Sequence, residues 1–202
     1  KGGVNDLLQS PVLYITGRDK PHFTDQQVEI LRKYVEQGGF VFAANGGGDT
    51  CPGADFEAAM FDLVQRMFQK DAKLEVLPPE HPIYRAEHKL PESVVLHGVD
   101  YGCRTVFVYA PVDLELACLW NKWQRNPEPA DNAARKQLAL EINFATRTGV
   151  NVLAYATGRE PPVKLETPTL EYEKGRNEVE RGFLQVAKIR HTGGWDAAPR
   201  AL

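Results

Sequence analysis

The sequence predicts a doubly wound α/β domain built on a mostly parallel sheet, and three observations carry that prediction. PVLYIT (11–16) and FVFAA (40–44) are unbroken apolar runs with no wet face, as strands covered on both sides must be. A helical pattern lies between them, which is the crossover that parallel neighbours need. The alternation of β-prone runs and amphipathic segments then continues through most of the 202 residues, enough chain for one α/β domain with a core.

The elements follow in order. After PVLYIT, the loop GRDKPHF leads to Thr24-Asp25-Gln26-Gln27, a capping box. In it the Thr24 hydroxyl accepts from the Gln27 backbone N–H, and the Gln27 amide reaches back. Val28, Leu31 and Val35 share one helical face. Gly38 stands where a left-handed terminator is wanted, and Gly39 opens the second strand. Beyond the glycine loop, Asp55 is expected to cap a helix with the apolar stripe Phe56, Ala59, Met60, Leu63, Val64 and Met67. LEVL (74–77) reads as a short strand, PPEHP as a break, and VVLHGV and RTVFVYA (104–110) as further strands. NPEPADNAA is a loop that opens a helix over about 132–148, ended by Gly149, and NVLAYAT (151–157) reads as another buried strand. Past Gly158 the chain turns polar and Pro-rich, a surface excursion or mobile arm, before FLQVAKIRH (183–191) supplies a strand suited to a sheet edge. The organisation expected is an α/β core over 1–158, a polar arm over 159–181, and a final strand with the start of a further module over 182–202.

Composition excludes several classes. A net charge of −3 and a pI near 6.0 give no global field for nucleic acid or an anionic membrane. Cys51, Cys103 and Cys118 are odd in number and lack CxxC spacing, so neither a disulfide framework nor a zinc ribbon is indicated. No apolar run reaches 18 residues, so this segment is expected not to insert in a membrane. KGGVNDLLQ lacks an initiator Met. The chain is therefore expected to be a soluble domain cut from a longer protein, whose upstream sequence decides between cytoplasm and periplasm.

Ligands of doubly wound sheets bind at the carboxyl ends of the strands, which directs attention to Gly17–Phe23, Asn45–Ala54 and Gly158 onward. NGGGDT is not a Walker loop, because no lysine lies between Lys33 and Lys70. Nor is it a dinucleotide fingerprint, because no glycine occupies the sixth place. It also lacks a nucleophile: neither serine, Ser10 or Ser93, has an elbow context, and Cys51 comes seven residues after Ala44. Cys103 precedes a strand and reads as a small buried thiol. The five histidines show no metal-ligand spacing, and no metal or cofactor is expected. Glu80-His81, held between prolines, reads as a rigid corner, with a polar couple facing a cleft as the alternative. Trp120 and Trp123 line a ligand or pack on the body, Arg18-Asp19 reads as a solvated pair, and Trp195 in HTGGWDAAPR has no periodic context.

Tyr14, Gly17, Leu31, Arg32, Tyr34, Gly38, Gly39 and Phe40 match a strand ending in Tyr-x-x-Gly, followed by Leu-Arg-x-Tyr-Val/Leu-x-x-Gly-Gly-Phe. In these residues the chain resembles the domain of unknown function 4159 family. LPPEHPIYRAEHKL, GVDYGCRTVFVY and FLQVAKIRHTGGWDAAPRAL also resemble segments of such proteins. The resemblance implies a flavodoxin-like, class I glutamine amidotransferase-like three-layer sandwich. It also implies a place in larger bacterial proteins, some with prenyltransferase-like repeats or membrane-anchored regions. The amidotransferase Gly-x-Cys-x-Gly elbow and His-x-Glu are missing, since His81 is followed by Pro82-Ile83.

The reading that follows is a non-catalytic module binding a small molecule or a protein partner, with neighbouring modules in the same polypeptide. Its site would be built from Gly17, Arg18, Asp19, Asn45, Gly46, Gly47, Gly48 and Asp49, with Glu80 and His81 nearby. The competing expectation is a hydrolase that uses Asp49, Glu80 or His81 as acid–base groups.

Overall fold

The computed structural model describes residues 3–17, 19–46, 54–69, 72–111, 133–158 and 186–188. In chain order its elements are α1 (Val4–Leu7), β1 (Val12–Gly17), α2 (Asp25–Glu36), β2 (Phe40–Asn45) and α3 (Ala54–Phe68). There follow β3 (Glu75–Val76), a 3-10 turn (Pro82–Arg85), β4 (His97–Tyr101), β5 (Arg104–Ala110), α4 (Ala133–Ala156) and β6 (Val186–Lys188).

The six strands form one sheet in the order β3-β4-β5-β2-β1-β6. β5, β2, β1 and β6 run parallel, and β4 and β3 add an antiparallel edge. Counted in chain order, the parallel strands lie 3-2-1-4. Among the described strands, that order is the beginning of the 3-2-1-4-5-6 doubly wound sheet.

Right-handed crossovers account for the layers. The steps β1 to β2 and β2 to β5 move one way across the sheet, and the step to β6 returns past β1, so its helix must cover the other face. Accordingly Leu13, Ile15, Val41, Ala43 and Phe107 pack with residues of α2 and α3, while Val12, Phe40, Phe42 and Val108 pack with Ile83 and with Leu138, Ala145 and Val152 of α4.

Local chemistry starts and stops these elements. The Gln27 backbone N–H donates to Thr24 Oγ1 at 3.3 Å, and the Thr24 N–H donates to Gln27 Oε1 at 2.8 Å. α2 ends before Gly38, whose φ of +103° is open to glycine at little cost. The next residue has a steric reason to be glycine, because a Cβ on Gly39 would overlap the Tyr34 ring. Tyr34 is fully buried; its hydroxyl donates to Ser10 O at 2.8 Å and accepts from the Phe40 N–H at 3.3 Å. The α3 stripe is buried as expected, but the helix begins at Ala54, so Asp55 lies in its first turn and is not its cap.

Four expectations are corrected. NVLAYAT is the last part of α4, which runs through Gly149 and stops before Gly158 at φ +63°. A short apolar run has no period of its own, and here tertiary bonds select the helix. Asn151, fully buried, donates to Ile83 O (2.9 Å) and His88 O (2.7 Å), and accepts from the N–H groups of Glu87 (3.2 Å) and His88 (2.7 Å). Gly158 onward consequently does not follow a strand. Cys103 is exposed, because Gly102-Cys103 form the two-residue turn of the β4–β5 hairpin. VVLHGV enters the sheet only at His97. LEVL, RTVFVYA and the edge position of Val186–Lys188 stand as expected. Cys51, Cys118, Trp120, Trp123, Trp195 and the 159–181 arm lie outside the described residues. Among the described residues no helix is long and apolar enough to cross a membrane.

Gly39→Ala should destabilise the fold by about 1–3 kcal/mol through overpacking against Tyr34. Chemical denaturation checks this, and an unchanged midpoint would show that the ring yields freely.

Candidate functional site

The carboxyl ends of β1 and β2 meet at the pair Gly17–Asn45. The Gly46 N–H donates to Gly17 O at 3.0 Å. A Cβ on Gly46 would come within 3.1 Å of both Gly17 O and Thr16 Oγ1, so the chain crosses β1 here at a separation that favours glycine. Strand alternation places Asn45 on the face of Val41 and Ala43, beneath α2 and α3. Asn45 is 8% exposed, and its Oδ1 is buried without a hydrogen-bond partner. Buried amide oxygens are rarely left so, since an orphaned acceptor costs about 1–3 kcal/mol.

Two more orphans lie one row below on the same face. Tyr109, opposite Ala43 on β2 and His97 on β4, is fully buried, and its hydroxyl has no partner. The half-buried His97 has its Nδ1 in the same condition. The His97 ring lies 6.0 Å from the Tyr109 ring and 5.8 Å, edge-on, from Phe61 of α3. Phe56 in the first turn of α3 lies 6.4 Å from Tyr109. Burial, and then the carboxylate of Glu57 in that turn, push the phenol well above its usual pKa, so it stays an uncharged donor and acceptor. Three buried polar atoms without partners thus occur at the carboxyl ends of β2 and β5 and the adjoining start of β4, on the face that α3 covers.

Glu80 and His81 sit elsewhere. β5 carries one extra residue, Val106, where Val99 pairs with Phe107 and Asp100 with Thr105. This bulge turns Thr105 toward the α4 face at the amino end of β5. There His81 Nδ1 accepts from the Ile83 N–H at 3.2 Å, which leaves Nε2 to donate to Thr105 Oγ1 at 3.0 Å. The Thr105 hydroxyl donates onward to Asp100 Oδ1 at 2.6 Å. Tyr155 of α4 accepts from the Thr105 N–H at 3.2 Å, and its ring lies 5.1 Å from that of His81. Burial lowers the His81 pKa and the Asp100 charge opposes that shift. Both imidazole nitrogens are committed to holding the 3-10 turn on the sheet. Glu80 is exposed, and its carbonyl accepts from Arg85 at 2.9 Å.

The structure therefore brings Gly17, Asn45 and Gly46 together and sets His81 at the opposite end and face of the sheet. Asp19 is exposed. Arg18, Gly47, Gly48 and Asp49 lie outside the described residues. Tyr109, His97 and Glu57 escaped the sequence reading. The one signal was a histidine interrupting the apolar VVLHGV, and its meaning depends on an antiparallel pairing that only the fold supplies. Among the described residues no group of three metal-ligating side chains occurs.

Tyr109→Phe should stabilise the unliganded domain by about 1 kcal/mol, because an unmade hydrogen bond is worse than none. A thermal melt should show a rise of about 2–4 °C for a domain of this size; a fall would mean the hydroxyl is satisfied. His81 binds its proton less readily folded than unfolded. Its contribution is full above the unfolded pKa of about 6.5 and is lost as pH falls from there through the lower folded pKa. His81→Asn, which can still accept from the Ile83 N–H, should flatten stability against pH as pH falls below about 6.5 in urea titrations. An unaltered slope would remove His81 as its source.

No curated protein matches the chain. A family model, the domain of unknown function DUF4159, matches residues 3–157 of the 202, spanning the strands of the carboxyl-end site and the Tyr34–Phe40 motif. On that match, this chain belongs to the DUF4159 family.

Proposed function

We propose that the domain is a binding module that takes a small polar molecule at the carboxyl ends of its parallel strands. The observation that carries the reading is the buried Asn45 Oδ1 without a partner, beside the close Gly17–Gly46 crossing. In this reading the glycines allow backbone to approach the ligand, Asn45 bonds it, and Asp49 selects a hydroxylated or cationic group. The module would work inside a larger bacterial protein, without a cofactor, and a protein partner carrying such a group would serve as well as a free molecule. Helices on both faces of a 3-2-1-4 sheet support a glutamine amidotransferase-like sandwich without that family's elbow cysteine. The hydrolase reading draws no support from His81, whose two nitrogens hold the fold together.

A thermal-shift screen of small polar metabolites tests the proposal. A ligand at a hundredfold excess over its Kd should stabilise the wild type by about 2.7 kcal/mol, and Asn45→Ala combined with Asp49→Ala should abolish most of that gain. Binding that survives the double substitution would place the site elsewhere.

A further inference from the structure

Resting on that binding reading, we infer the chemistry of the ligand: a group rich in hydrogen-bond donors and without negative charge, a hydroxyl cluster or an ammonium, held by Asn45 and Tyr109 at the carboxyl ends of β2 and β5, with His97 beside Tyr109.

The inference follows from what each orphan can do. Asn45 Oδ1 only accepts, so its missing partner is a donor. The Tyr109 hydroxyl, neutral and fully buried, can donate or accept, and His97 Nδ1 does either according to its tautomer. A hydroxyl can bond any of the three, because it too donates and accepts. An ammonium can bond the Asn45 and Tyr109 oxygens and gains from the carboxylates of Asp55 and Glu57 in the first turn of α3.

An anion meets the opposite conditions. The positive end of a helix ordinarily attracts phosphate or carboxylate. The first turn of α3, however, carries Asp55 and Glu57, which already complement that end with their own charge. Burial first, and then Glu57, disfavour a negative charge on the Tyr109 phenol. A phosphate would encounter the same repulsion and would leave the Asn45 Oδ1, the atom that lacks a partner, facing another acceptor. The sign of the field and the donor count agree.

Titrations followed by amide chemical shifts test this in the full chain, with glucose and glycerol as hydroxyl probes, ethanolamine as the ammonium probe, and inorganic phosphate and acetate as anions. A hydroxyl or ammonium probe should shift Asn45, Gly46 and the start of α3. Its Kd should weaken about tenfold, the worth of one hydrogen bond of about 1.4 kcal/mol, in Asn45→Leu and again in Tyr109→Phe. Asn45→Asp, which keeps the acceptor, should retain the binding and so separates lost recognition from lost folding. Anion binding that depends on Asn45 and Tyr109 would overturn the donor-rich assignment while leaving the site in place. If no probe binds in a manner that depends on either residue, with Asn45→Asp and Tyr109→Phe folded, the inference falls; failure of the metabolite screen as well would take the binding reading with it.

Discussion

The geometry at the carboxyl end of the sheet depends on one contact at its amino end, the Tyr34 ring laid on Gly39. The ring needs a residue without Cβ beneath it, and its hydroxyl joins Ser10, just before β1, to Phe40, the first residue of β2. α2 and two strands are thereby tied at a single point. With Val12 opposite Phe40, the register runs up to Gly17 opposite Asn45. Strand side chains alternate, so a slip of one residue would carry Asn45 from the α3 face to the α4 face. Tyr34, Gly38, Gly39 and Phe40 all lie at this point. This stretch, inside the span that matches the family, is a structural lock at the amino end of the sheet.

Polar groups are treated differently on the two faces. On the α4 side the buried amide of Asn151 makes four bonds, and His81, Thr105 and Asp100 form a chain in which each donor meets an acceptor. Satisfied networks of this kind add rigidity and specify one packing. On the α3 side, at the other end of the strands, Asn45, Tyr109 and His97 each hold a buried atom with no partner. Buried polar atoms without partners are rare in native folds, which is what singles this end of the sheet out. The bulge at Val106 keeps the two sets apart by turning Thr105 away from the face of Tyr109.

Residues acting on near neighbours determined their structure by themselves. The Thr24 capping box, the left-handed Gly38, the apolar runs of β1 and β2 and the stripe of α3 are local or strongly periodic signals, and these were legible in the sequence. Asn45 was legible as the residue at the carboxyl end of a strand, because strand ends follow from the same patterns. Only the tertiary structure decided the rest. NVLAYAT became helix because Asn151 finds four partners on a segment more than sixty residues away. His81 became a brace because a bulge brought Thr105 to it, and Tyr109 gained its aromatic neighbour because an antiparallel strand set His97 beside it. Short apolar runs and single polar residues take their meaning from their partners, and which partners they meet is set by how the whole chain folds.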